Sequence, residues 1–235
     1  MDMQQLIEYI PILTTIFGVY FTIEIAKHYR RRKTSYLLWW MIGVMTFVLG
    51  TLAESLHALF GWNEINLRFW YIVGALLGGF PLAQGSVYLL MPKWFGHVTT
   101  VFFVSLILVA SYFVIQSPIS IPDGFDGRLT GTVFEWTWVR NFSPLINIYA
   151  FLFLVGGAIY SASKYYGFKN KKAHFKGNIL IAIGALLPGI GGSFTRAGYV
   201  EVLFITEFLG LLLIYFGYRI IKTRNQSDRI EVAVA

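Results

Sequence analysis

Seven stretches of about twenty residues each are too apolar to sit in water, and they constrain this chain more than anything else in it. They run over Ile7–Ala26, Tyr36–Leu59, Arg68–Leu90, Val98–Ile115, Pro144–Ser163, Gly177–Ala197 and Val200–Ile221. At about 1.5 Å of rise per residue, such a helix crosses the roughly 30 Å of a bilayer core. Most are apolar all round, without the polar face of a soluble amphipathic helix. Only 13% of the 235 residues are charged, too few to coat a soluble domain of this size. The expected fold is therefore all-α: one domain of seven transmembrane helices over residues 1–222, then a short tail, 223–235. The chain has no cysteine, which excludes disulfides, thiolate metal sites and cysteine nucleophiles. The first apolar run has no basic residue before it, and it reads as a retained span and not a cleaved leader.

Lysine and arginine give the expected orientation. Loops one, three and five and the tail hold 15 of them, among them Lys27, Arg30, Lys93, Lys169 and Arg219; the opposite side holds only Arg68, Arg128, Arg140 and Arg196. The basic side faces the cytoplasm under the positive-inside rule, so the N-terminus is expected outside and the C-terminus inside, in the cell membrane. Anionic headgroups account for the basic excess, and no nucleic-acid partner is expected. The expected partners are the lipid bilayer and a second membrane protein or another copy of this chain.

Charged residues within the spans need a reason to be there. In LAESLHALFG, residues 52–61, Glu54 and His57 lie one helical turn apart inside span two. Glu54 falls roughly 8 Å and His57 about 3 Å below the outer end of that span, and Glu207 of span seven roughly 10 Å below the same surface. A charge facing lipid there costs about 2 kcal/mol or more. The expected resolution is an outer-half polar cluster of Glu54, His57 and Glu207 with Arg68 or Arg196, joined by Asn147, Thr195 and Ser193. Such a cluster suits a ligand or proton entering from outside, or it staples helices together. A metal site is not expected. Glu54-x-x-His57 occurs once where a carboxylate-bridged centre needs it twice, and His28, His97 and His174 fall on the other side. No cofactor is indicated. Span seven lacks the lysine of a retinal Schiff base, and no strand context supports a phosphate-binding glycine loop.

Three more features carry expectations. Pro188, Gly189, Gly191 and Gly192 crowd span six, where a proline removes a donor and disturbs the carbonyl near Gly184; a kink or an unwound turn is expected over 184–192, the alternative being close helix packing through the small residues. A similar block, Gly74 to Pro81, lies in span three. Glu24 is three residues from Lys27 and is expected to pair there. The long outer loop, 117–142, alternates over Thr132–Trp138, which predicts a short hairpin or interfacial strand and a possible lid.

The string RFWYIVGALLG from Arg68 with QGSVYLL from Gln84, and the later blocks IAIGALLPG from Ile181 and TEFLG from Thr206, resemble uncharacterised prokaryotic seven-helix membrane proteins. The resemblance spans roughly residues 35–220 and implies the fold without an activity. A fainter one is to the seven-helix sensor region of bacterial histidine kinases, without the output domain. Together these readings lead to a non-enzymatic, receptor-like or accessory membrane protein with an outer-facing polar pocket. The alternatives are a small proton-coupled carrier using Glu54 and Glu207, and an intramembrane metal-dependent enzyme.

Overall fold

The computed structural model describes residues 7–125, 127–196 and 198–234. It is 85% helical, with no strand among the described residues. Among the described residues, seven helices are long and apolar enough to cross a membrane: Ile10–Arg32, Ser35–Phe60, Glu64–Leu90, Lys93–Gln116, Thr137–Tyr165, Lys169–Thr195 and Val200–Asn225. This is the pattern of a multi-pass membrane protein. The chain divides into two compact units, Met1–Ala150 and Phe151–Ala235.

In the first unit, α1 (Ile10–Arg32) places Pro11 in its first turn, where a missing N–H costs nothing. It stops at Lys33, whose left-handed backbone (φ 49°) returns its N–H to the Tyr29 carbonyl. Arg30, Arg31 and Arg32 in the last turn suit the negative end of the helix dipole. Glu24 and Lys27 pair at 3.6 Å, as the spacing predicts. The next helix, α2 (Ser35–Phe60), ends at Gly61 (φ 78°). Asn63 then caps α3 (Glu64–Trp70), its Oδ1 accepting from the N–H groups of Ile65 and Asn66.

Span three is where the backbone departs from a plain helix. After Trp70 it widens into a π-helical turn, Tyr71–Leu76, in which Leu77 N–H bonds the Ile72 carbonyl at 2.9 Å. Residues 77–79 are not helical, and the chain restarts as α4 (Phe80–Leu90). Pro81 fits there because the first turn of a new helix needs no donor from it. Gly79 admits the close approach of span five: a methyl group on it would lie 2.8 Å from the Ala150 side chain.

Helix α5 (Lys93–Gln116) leads into the outer loop. The expected hairpin strands are absent among the described residues of the loop; these show one isolated antiparallel bridge, Ile119 to Phe134, and two 3-10 turns, Gly131–Val133 and Thr137–Asn141. The reason is burial. Val133 and Phe134 are neighbours, yet they are 0% and 1% exposed, whereas a strand would send them to opposite faces. Phe134 meets the Tyr71 ring edge-on at 5.0 Å. Span five then begins as α6 (Phe142–Ala150).

The second unit opens with another π-turn, Phe151–Val155, followed by α7 (Gly156–Tyr165), α8 (Lys172–Arg196) and α9 (Val200–Val234). Helix α8 runs unbroken through Pro188, so the unwound turn expected over 184–192 is absent. Proline does remove the donor for the Gly184 carbonyl. That carbonyl lies against Gly210 of α9: a methyl group on Gly210 would lie 2.6 Å from it. Glycines repeat this approach along an antiparallel seam: Gly177 against Gly217, Gly184 against Gly210, and Gly191 against Leu203. Gly189 and Gly192 lie off the seam, with open space where a side chain would be.

Candidate functional site

Glu54 sits on the buried face of α2 and is 3% exposed. Its Oε1 accepts a hydrogen bond from the Trp70 indole N–H at 3.0 Å. Trp70 in turn packs against a small apolar cluster, Leu67, Leu129 and Val133, that also takes in Trp62, Ile119 and Phe125. The outer loop is therefore packed against α3 beside the residue that holds Glu54. The loop is tied at its base, where Ser120 N–H bonds the Val133 carbonyl and Glu135 N–H the Pro118 carbonyl.

Polar groups continue around Glu54. On the adjoining turns of α2, Thr51 and Ser55 lie 2.9 Å and 3.3 Å from the Thr15 hydroxyl of α1. Asn66 Nδ2 donates to the Ala53 carbonyl at 2.8 Å, fixing α3 against α2. His57 is half-buried at the end of α2, with its Nδ1 shielded from solvent.

Arg68 does something other than what its position suggested. Its side chain forms five hydrogen bonds: two to Glu64, at 2.6 Å and 3.0 Å, and three to the carbonyls of Val114, Ile115 and Ser117 at the end of α5. A guanidinium has five N–H donors, so Arg68 has none left for Glu54. It is a cap for the orphan carbonyls of α5, balanced by Glu64.

The remaining candidates are spread over both units. Asn147 donates to Ser143 Oγ at 3.0 Å, and Ser143 donates to the Ala75 carbonyl within the π-turn of span three. These two residues support the irregular backbone, which has to find partners where water is scarce. In the second unit, Glu207 shares a stripe of α9 with the buried Leu203, Gly210 and Leu211, and its Oε2 is shielded from solvent. Thr195 and Ser193 return their hydroxyls to the Gly191 and Gly189 carbonyls of their own helix. Arg196 closes α8, and its side chain lies outside the described residues.

A second polar cluster lies lower in the first unit, around Gln84, which is fully buried. Its Nε2 donates to the Gly96 carbonyl and to the hydroxyls of Thr99 and Thr100; its Oε1 accepts from Tyr149 at 2.6 Å. Thr100 joins Tyr88, and Tyr88 reaches the exposed His97 at 3.0 Å. Gln84 was legible as a polar residue able to bond across helices. Tyr149, Thr99 and Thr100 carry no such signal, because hydroxyls on apolar helices are common and only the fold brings these to one amide.

Among the described residues, no group of three or more His, Asp or Glu converges as metal ligands would. Searches of family models, curated proteins and solved structures found no match to this chain.

Proposed function

We propose that this chain is a non-enzymatic, receptor-like protein of the cell membrane, in which a small ligand or proton arriving from outside acts at Glu54. One observation carries the reading: the buried carboxylate accepts a hydrogen bond from Trp70, the residue immediately before the π-turn of span three. A change of charge or occupancy at Glu54 would act directly on a backbone that is already irregular. The outer loop packs against the same tryptophan, so it is placed to respond to an arriving ligand. The reading agrees with a likeness to prokaryotic seven-helix membrane proteins and with an N-terminus outside.

The coupling is tested with Trp70→Phe, which keeps a ring in place and removes the donor. A hydrogen bond to a charged group is worth about 1.5–3 kcal/mol. Hydrogen exchange over residues 71–79 is therefore expected to rise about tenfold, while residues 35–50 stay as in the wild type. Unchanged exchange over 71–79 would sink the coupling.

A proton-coupled carrier is the second reading, favoured by the break near the middle of span three with polar clusters on either side of it. It requires flux. In proteoliposomes under an imposed pH gradient, a carrier would move protons or solute in a way Glu54→Gln abolishes, whereas the receptor reading expects no flux from either protein.

Orientation is checked separately. Cysteine at the exposed Thr132 is expected to react with an impermeant reagent added to intact cells, and cysteine at Asn170 to react only after lysis. The reverse pattern would invert the topology.

A further inference from the structure

The hydrogen bonds around the buried Gln84 run outward to a titratable ring, and Thr100 is the joint between the two. The Thr100 hydroxyl has one hydrogen, which it gives to the Gly96 carbonyl at 2.7 Å, and it accepts from Gln84 Nε2 at 2.8 Å. The Tyr88 hydroxyl stands 3.2 Å from Thr100 Oγ1 and 3.0 Å from His97 Nδ1. With the Thr100 hydrogen committed, Tyr88 bonds Thr100 by donating to it. Tyr88 also has only one hydrogen, so its bond to His97 then requires Nδ1 to be the donor. All these bonds are made together in one sense only: from His97 to Tyr88, from Tyr88 to Thr100, and from Thr100 to Gly96.

Tyr88 is held in this position. Trp39 of α2 stacks on its ring at 6.4 Å and 14°, and the His97 ring meets it edge-on at 5.5 Å. Gly96 lets the ring approach α5 closely, since a methyl group there would lie 2.9 Å from it. The hydroxyl is thus kept between His97 and Thr100.

The hydrogen on Nδ1 depends on charge. An imidazolium carries a hydrogen on both ring nitrogens, whereas a neutral ring carries one, on either. His97 is exposed, so solvent protons reach it. Tyr88 faces it from α4, and Lys93 precedes it by one turn on α5. Of these three residue types, histidine is the one that changes charge between about pH 5 and 8.

From this we infer a pH-sensitive latch between α4 and α5. A protonated His97 fixes Nδ1 as a donor and locks the chain of bonds. A neutral His97 is free to move its hydrogen to Nε2, and Tyr88 then serves either His97 or Thr100 but not both. The latch holds α4, the part of span three that restarts after the non-helical residues 77–79. Its stabilisation is present at low pH and is lost as the pH rises. It lies at the Lys93 end of α5, and it is independent of Glu54 and of the receptor reading.

The test is hydrogen exchange of the full-length protein in detergent at about pH 5 and about pH 8, the limits of the imidazole range, corrected for the intrinsic effect of pH on amide exchange. A charged donor makes a stronger hydrogen bond than a neutral one, and protection over residues 84–90 is expected to be about fivefold higher at the acid pH. Residues 12–25 of α1 are expected to be equally protected at both. H97N keeps an amide donor near the Nδ1 position without titrating, and Y88F removes the hydroxyl that joins the two halves of the chain; each is expected to abolish the difference. His97 is exposed, so H97N leaves the fold intact and decides the matter should Y88F not fold. Equal protection of 84–90 at the two pH values in the wild type would overturn the inference. So would a pH effect that persists in H97N, which places the titrating group elsewhere, or in Y88F, which shows that the charge acts without the hydroxyl.

Discussion

Gly184→Val is expected to destabilise the α8–α9 hairpin by about 3 kcal/mol, at the upper end of what overpacking costs. At this position the Cβ alone would lie 2.6 Å from the Gly210 carbonyl oxygen and 2.9 Å from the Ile214 amide nitrogen. Both obstacles are backbone, so no side-chain rotation relieves them. The helices would have to separate, and the close approach of Gly184 to Gly210 would be lost. Gly189→Ala and Gly192→Ala are the controls. Both positions are open, and replacing glycine with alanine inside a helix gains about 0.5–1 kcal/mol. The measurement is equilibrium unfolding in mixed micelles. Equal losses at 184 and 189 would show that glycine content matters and the seam does not.

Arg68→Lys is expected to behave almost as badly as Arg68→Leu, which is the sign of a geometric role. The guanidinium serves Glu64 and three carbonyls at once, with each N–H used. Lysine keeps the charge but has three donors on one nitrogen and cannot span that fan of acceptors. Leaving a buried acceptor unsatisfied costs about 1–3 kcal/mol. A loss of about 2–3 kcal/mol is therefore expected for Arg68→Lys, with faster hydrogen exchange at the end of α5, near 113–117. Glu64→Gln is expected to cost less than 1 kcal/mol, because Glu64 is half exposed and its pair is screened. A lysine variant as stable as the wild type would show that charge alone is needed at this position.

Several features could be read without the structure because they depend on short spacings. Glu24 and Lys27 are one helical turn apart, and a helix brings them together whatever else is nearby. The glycine seam has the same character: Gly177, Gly184 and Gly191 recur every seven residues, as do Gly210 and Gly217. Burial of Glu54 follows from the cost of exposing a carboxylate to lipid, and it is buried. Its partner does not follow from that cost, since an indole N–H and a guanidinium both satisfy a carboxylate. Arg68 was the nearer candidate by charge, but the open carbonyls at the end of α5 hold it, and those lie more than forty residues away in the chain.

The two proline-glycine blocks mark the boundary most clearly. Hydropathy by itself determined the seven membrane-length helices seen among the described residues, because transfer into lipid is a sum over each segment's own residues. Gly74–Pro81 and Gly184–Gly192 look alike in composition, and sequence favoured span six for a break. The structure breaks span three and leaves α8 whole. Each block frees backbone carbonyls, and what happens next depends on the neighbour. In span three Ser143 supplies a hydroxyl to the Ala75 carbonyl, and the backbone can stay irregular. In α8 the Gly184 carbonyl meets Gly210 at close range, and the unbroken run of helix keeps both in register. A freed carbonyl in a medium without water takes whatever partner the next helix offers, and only the tertiary structure decides which helix that is.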